Sequence, residues 1–216
     1  MDGMSDTRAI FWDNDGVLVN TERLYFFATQ RVLATVDIEL TKAQYVEYFL
    51  VQGKGAWHLA AREGHTAVVI ERLRRERNTL YAKLLAEEEL LIDGVSQVLE
   101  ELHKRYVMAV VTSSHPDHFT IIHRSTGILP YFRFVLTRSD YTKSKPHPEP
   151  YLRAIEQSGC RTGECLVIED SERGLIAAKG AGLRCIVVPS ELTRGSSFDG
   201  AYRVLGNVRE VLSELS

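Results

Sequence analysis

The chain has 216 residues, 44% of them hydrophobic and 25% charged, with 26 basic against 29 acidic side chains and a net charge of −3. That length allows one or two domains and a core that needs no covalent staples, and the near-even charge offers no electrostatic footprint for nucleic acid. No apolar run approaches the roughly 18 residues needed to span a bilayer, and Cys160, Cys165 and Cys185 fit neither a disulfide framework nor a zinc ribbon.

In chain order, Met1 to Arg8 is polar and lacks a secretory apolar stretch, so a cytoplasmic protein with buried thiols is expected. Ala9–Trp12 then opens a set of five short apolar runs, continued by Val107–Thr112, Phe134–Thr137, Cys165–Ile168 and Arg184–Val188. Each is too short for a helix and lacks polar alternation, which predicts strands buried on both faces. Between the first two runs, Thr21 to Glu89 holds no strand pattern. Leu24–Val36, Thr41–Phe49 and Ala67–Leu91 read as helices, the last with Ile70, Leu73, Leu80, Tyr81 and Leu84 on one face. Glu71 with Arg75 and Arg72 with Glu76 are opposite charges four apart, and the whole run Arg72–Arg77 predicts a solvated face.

After Gly94, helices over Ser96–Lys104, Glu149–Ser158 and Glu172–Gly182 alternate with the remaining strands, and Gly159 and Gly182 supply stop signals. Such alternation predicts an α/β fold, a Rossmann-like parallel sheet with helices on both faces. The expected organisation is an α/β core of residues 1–19 and 91–216 with an α-helical domain inserted at 20–90. No coiled-coil seam or long apolar tract points to an interface, so a monomer is expected.

Ligands of an open parallel sheet bind beyond the carboxyl ends of its strands, which makes the residues after each run the ones that matter. After the first comes Asp13-Asn14-Asp15-Gly16, two carboxylates at the exit of a buried strand, with Gly16 allowing an immediate turn. Either carboxylate could hold a hard cation, attack an electrophile or move protons, and an ordinary acidic turn is the plain alternative. Thr112-Ser113-Ser114 after the second run offers hydroxyls and backbone N–H groups to an anion, or simply caps the helix that starts near Pro116. Lys145 is flanked by Pro146, Pro148 and Pro150, which would deliver it from a defined backbone as a charge clamp for phosphate. Glu169-Asp170-Ser171 follows the fourth run. Four carboxylates on one edge would repel by several kcal/mol unless a divalent cation sat among them. Mg²⁺ held by Asp13, Asp15 (through side chain or carbonyl) and Asp170, with Glu169 a weaker ligand, is the expectation. Thr112, Ser113 and Lys145 would bind the phosphoryl oxygens while one of the first two aspartates attacks phosphorus and the other moves the proton.

The order Asp13-x-Asp15-Gly-Val-Leu, Thr112, Lys145-Pro and Glu169-Asp170 resembles the four motifs of the haloacid dehalogenase superfamily, over essentially the whole chain and with a helical cap between the first two motifs. The layout is most similar to phosphoglycolate phosphatases and β-phosphoglucomutases. The resemblance implies that Asp13 is the nucleophile, Asp15 the acid/base, and Thr112 and Lys145 phosphate binders, in a Mg²⁺-dependent phosphatase of a small phosphorylated metabolite such as a sugar phosphate. Asp15 disfavours dehalogenation, since true dehalogenases lack that aspartate. Asn20 replaces an aspartate found in many relatives at the hinge into the cap. A sugar phosphomutase is the alternative, weakened because Tyr25 and Ala56 align where mutases carry a histidine and a cap-loop arginine. Phosphonoacetaldehyde hydrolases need a Schiff-base lysine in the cap, and none is placed here. A non-catalytic phosphometabolite-binding module is a third possibility, opposed by the intact acidic pairs and lysine.

Gly53-Lys54-Gly55 lacks the spacing of a P-loop and reads as a plain turn or a specificity loop over the substrate. His115 and His118 lack further spaced ligands and read as a helix-end pair rather than a zinc site. Trp12 is expected in the core, and Trp57 in the core of the insert or against the substrate.

Overall fold

Strand β1 (Ala9–Trp12) lies at the centre of a fully parallel sheet, flanked on one side by β2 (Val107–Val111) and β3 (Phe134–Leu136) and on the other by β4 (Cys165–Glu169), β5 (Arg184–Val187) and β6 (Arg203–Val204). The computed structural model describes residues 6–215; of the polar start, Met1–Ser5 lie outside the described residues. The lack of polar alternation in these runs has a direct cause. Ile10, Trp12, Met108, Val110, Leu166 and Ile168 face one apolar layer, while Ala9, Phe11, Ala109, Val111 and Val167 face another. Both faces are covered, so both alternating sets must be apolar. Burying each large side chain contributes about 1.5–3 kcal/mol.

The first layer is closed by α5 (Val95–Leu102) and α6 (Pro116–Ile122), through Val98, Leu99, Leu102, Phe119 and Ile122. The second is closed by α7 (Glu149–Ser158) and α8 (Glu172–Gly180), through Tyr151, Ala154, Leu175 and Ala178. A short α9 (Val211–Glu214) packs beside α5. The fold class is therefore the α/β architecture expected. The sequence pattern missed β6, whose two residues are exposed and carry no periodicity.

Between β1 and α5 the chain is helical: α1 (Glu22–Ala34), α2 (Lys42–Tyr45), α3 (Trp57–Arg62) and α4 (Ala67–Glu87). These helices share an apolar cluster of their own, including Val32, Leu33, Leu40, Tyr45, Trp57 and Leu73. Helix α2 starts with a reciprocal cap, in which Gln44 N donates to Thr41 Oγ1 and Thr41 N donates to the Gln44 side chain. It then widens over Val46–Val51, where Gln52 N reaches back five residues to Glu47 O. Helix α3 was not expected from the sequence, and α4 stops four residues before the expected Leu91, which instead bridges to Val19.

Helix α4 requires a larger correction. Its buried stripe is Leu73, Arg77, Tyr81 and Leu85, so Arg77 lies inside, not on the solvated face expected of Arg72–Arg77. Arg72 does pair with Glu76 at 3.6 Å, but Glu71 pairs with Arg74 at 3.8 Å rather than with Arg75.

No helix among the described residues is long and apolar enough to cross a membrane. The three cysteines are free, with Cys165 and Cys185 buried.

Candidate active site

The order in which strands are added reverses about β1. After β3 the chain crosses to the far side of the sheet, so β1 and β4 are neighbours although distant in sequence. Their register pairs Trp12 with Ile168, and Asp13 N donates to Ile168 O at 2.9 Å. Asp13 and Glu169-Asp170 therefore leave the sheet side by side at its topological switch point, where such folds bind ligands. Oxygens of Asp13, Glu169 and Asp170 come within 4.8 Å of one another.

Two close approaches make this convergence possible. Gly16 has φ +92°, and a Cβ there would lie 2.2 Å from Asp170 Oδ2. A Cβ on Gly174 would lie 1.9 Å from the Glu169 carboxyl carbon. Gly174→Ala is accordingly expected to displace Glu169, destabilise the protein by about 1–3 kcal/mol and lower turnover; urea unfolding alongside steady-state kinetics checks both effects.

Lys145, 4% exposed, reaches the cluster from the segment before α7. Its ammonium donates to Asp13 Oδ1 at 2.6 Å, Glu169 Oε1 at 2.7 Å and Val111 O at 2.8 Å, which uses all three of its hydrogens. Burial opposes its charge, but Asp13 and Glu169 outweigh burial and hold the lysine above its ordinary range. Glu169 is buried too, yet the charge of Lys145 and hydrogen bonds from Lys145, Tyr151 and Ser171 keep it below the usual carboxylate range. Asp13 is pushed up to about 7 by burial and by the Glu169 charge, against the pull of Lys145. Asp170 is raised by burial, Asp13 and Glu169. Three buried carboxylates thus stand against one ammonium, which pairs with Asp13 and Glu169. That excess of negative charge, carried by hard oxygen donors, suits a divalent cation such as Mg²⁺.

The Asp15 carboxylate turns away from this cluster. Its Oδ1 accepts from Thr21 Oγ1 at 2.5 Å, and its Oδ2 from Ser114 Oγ at 2.5 Å and Thr112 Oγ1 at 3.1 Å. Ser113 Oγ is buried and has no hydrogen-bond partner of good geometry. The structure therefore brings Asp13, Glu169, Asp170 and Lys145 into one cluster and places Asp15, Thr112 and Ser113 against it. These residues, except Thr112, line a single cavity of about 700 Å³ that also takes in Gly53 and Lys54. His115 and His118 line the same cavity, and His118 packs edge-on to Tyr81 at 5.0 Å. Trp57 meets both expectations: it is 8% exposed in the insert's apolar cluster and it borders the cavity.

Several supporting residues escaped the sequence. Tyr151 donates its hydroxyl to Glu169 Oε1 at 2.7 Å, and Thr193 Oγ1 donates to Asp170 Oδ2 at 3.4 Å. Thr21 precedes α1, a position that suggests only a helix cap. Asn14, fully buried between the two aspartates, accepts from His123 Nε2 at 2.8 Å, and Thr126 Oγ1 lies 2.9 Å from His123 Nδ1. Burial holds His123 down to about 4, so the folded protein keeps it neutral while the unfolded chain protonates near 6.5. Stability from this residue is complete above pH 6.5 and is lost as pH falls towards 4, by about 2–3 kcal/mol. Unfolding titrations at both ends of that window should show a smaller acid loss for His123→Gln than for the wild type.

Fold and site together define an α/β protein that gathers three buried carboxylates and a lysine at the exits of its central strands. Residues 10–188 match the profile of the haloacid dehalogenase-like hydrolases. The chain is 27% identical over 185 residues to phosphoglycolate phosphatase of Yersinia pseudotuberculosis, covering 83% of this chain and 79% of that one. It is 24% identical over 219 residues to β-phosphoglucomutase of Bacillus subtilis, covering 96% and 93%. Among solved structures, it superposes with a TM-score of 0.83 on CbbY of Rhodobacter sphaeroides in complex with xylulose-1,5-bisphosphate, at 28% identity and 97% and 99% coverage. The protein belongs to the haloacid dehalogenase-like hydrolase family and is a phosphatase within it.

Proposed function

We propose that the protein is a Mg²⁺-dependent phosphatase that hydrolyses a small sugar phosphate through a phosphoaspartate on Asp13. The observation that carries this reading is the placement of Asp13. It exits β1 at the floor of a cavity of about 700 Å³, in contact with Lys145 and beside two further buried carboxylates. Asp13, Glu169 and Asp170 would hold the cation. The peptide oxygen of Asp15 is a further donor, since its carboxylate is engaged by Thr21, Thr112 and Ser114. Bound there, Mg²⁺ supplies positive charge that offsets repulsion between the incoming phosphate and the Asp13 carboxylate.

In the first half-reaction a carboxylate oxygen of Asp13 attacks phosphorus and the ester oxygen departs. Asp15 gives that oxygen its proton. In the second, Asp15 takes a proton from water, which attacks the phosphoaspartate and frees inorganic phosphate and Asp13. Lys145 keeps its charge beside Asp13 throughout, and the Ser113 hydroxyl, which has no partner in the folded chain, and nearby backbone N–H groups would donate to the equatorial oxygens. The helices between β1 and α5 form a cap, taken as residues 20–90, that covers the substrate and excludes water. Gly53 and Lys54 sit in the loop bordering the site and would set specificity.

Turnover of p-nitrophenyl phosphate should require added Mg²⁺, disappear in EDTA and return on adding the cation back. Activity that persists in EDTA would overturn the metal-dependent reading. A product assay with a hexose 1-phosphate separates hydrolysis from the mutase alternative: release of inorganic phosphate supports the phosphatase, and isomer formation without release contradicts it.

A further inference from the structure

Asn14, between the two aspartates, is fully buried, and its amide is held from both ends. Nδ2 donates to Asp15 Oδ2 at 3.3 Å, and Oδ1 accepts from His123 Nε2 at 2.8 Å. The opposite orientation of the amide would set Oδ1 against the Asp15 carboxylate, two acceptors facing each other. Because Asn14 Oδ1 can only accept, neutral His123 carries its hydrogen on Nε2. Its Nδ1 is then an acceptor and takes the hydroxyl hydrogen of Thr126 at 2.9 Å. His123 is 6% exposed, and its ring lies against Phe119 with centroids 4.3 Å apart. The same burial holds it down to about 4 and so keeps it neutral. All three hydrogen bonds therefore run in one direction, from Thr126 through His123 and Asn14 to Asp15, and each polarises the next.

The two oxygens of Asp15 are consequently unequal. Oδ2 accepts from Asn14, Thr112 and Ser114, whereas Oδ1 accepts from Thr21 alone. An ionised carboxylate has about four acceptor sites over its two oxygens. Oδ2 is filled, and Oδ1 has room for another partner. Thr21, Thr112 and Ser114 offer hydroxyls that can rotate and can accept as well as donate. The Asn14 NH₂ can only donate, and it cannot turn away while His123 holds the other end of the amide.

We infer that Asn14 and His123 are positioning residues that fix the Asp15 carboxylate through Oδ2, so that Oδ1 is the atom that gives its proton to the leaving oxygen. This inference rests on the phosphatase reading and on Asp15 as its proton donor. Asp15 lines the substrate cavity and Asn14 and His123 do not, so the pair acts through Asp15.

The test uses two probes of nearly the same shape, p-nitrophenyl phosphate and p-nitrobenzyl phosphate. The first expels a stable phenolate, and only the second expels an alkoxide that needs a proton as it leaves. Single-turnover release of each alcohol, with enzyme in excess and Mg²⁺ present, isolates the half-reaction in which Asp15 is the acid. The readout is the ratio of the two rate constants, benzyl over phenyl, because a merely structural defect lowers both rates and leaves their ratio in place. Asp15→Asn sets the scale and should lower the ratio on the order of 10²-fold or more. Asn14→Leu and His123→Leu should each lower it about tenfold or more, since a misplaced acid loses much of its advantage. His123→Gln, whose amide can still donate to Asn14, should stay within about threefold of the wild type. Combining Asn14→Leu with His123→Leu removes both partners of a buried hydrogen bond, so its thermal melt should lie nearer the wild type than that of either single variant, with the ratio still low.

A wild-type ratio in the folded double variant, or equal losses in His123→Gln and His123→Leu, would overturn the inference. An unchanged ratio in Asp15→Asn, or no release of p-nitrobenzyl alcohol by the wild type, would instead remove Asp15 as proton donor. The inference would then fall together with the mechanism on which it rests.

Discussion

Asp13→Asn is expected to lower p-nitrophenyl phosphate turnover by on the order of 10⁴-fold or more, with the fold intact. That corresponds to at least about 5 kcal/mol of lost transition-state stabilisation. An amide has nearly the same shape as the carboxylate and still offers an oxygen to Lys145, which keeps Glu169 as its ionised partner. It cannot attack phosphorus. Stability should be unchanged or slightly higher, because Asn removes a carboxylate that burial and Glu169 already disfavour. Kinetics paired with a thermal melt separate these statements. Substantial activity in a well-folded Asp13→Asn protein would remove Asp13 from the role of nucleophile.

Lys145→Met should show the second large effect, on folding as well as on rate. As a charge clamp for phosphate alone, this lysine would matter to turnover and little to folding. Its partners change that expectation: the ammonium is the shared counter-charge of two buried carboxylates. Removing one partner of a buried ionic cluster typically destabilises by about 3–5 kcal/mol. The loss should appear in urea unfolding performed in EDTA, and millimolar Mg²⁺ should recover part of it by neutralising Asp13, Glu169 and Asp170. Adding Glu169→Gln to Lys145→Met should destabilise less than the sum of the two single changes, since they share one interaction. A loss below about 1 kcal/mol would mean that the cluster is far better solvated than its burial implies.

The residues that sequence patterns located best were those whose surroundings leave little choice. Ala9–Trp12 and Cys165–Ile168 are apolar at every position because sheet neighbours and helices cover both faces, and the carboxylates that follow stand out against them. Arg203–Val204 pairs only at the sheet's edge and is exposed, so nothing in its composition marks it as a strand. Arg77 was misread for a related reason. A charged residue among charged neighbours on a helix normally faces water, and only the stacking of Tyr25 and Trp57 around it shows that it faces inward. Tyr151 and His123 support the site through contacts between separate segments of the chain, which depend on how the strands and helices pack rather than on any local spacing, whereas Thr21 reaches Asp15 from six residues away by a turn that its position before α1 does not reveal. Asp15 was identified as part of the site, but the direction of its carboxylate depends on Thr21 and Ser114, whose hydroxyls carry no such signal in the sequence.

The claim on which the rest depends is that Asp13 takes the phosphoryl group before water does. The stereochemical course at phosphorus tests it most directly, using a phosphomonoester made chiral with three oxygen isotopes and an alcohol acceptor in place of water. Two successive in-line displacements, first by Asp13 and then by the acceptor, predict net retention of configuration. Net inversion would show a single direct displacement and would contradict a phosphoaspartate on Asp13.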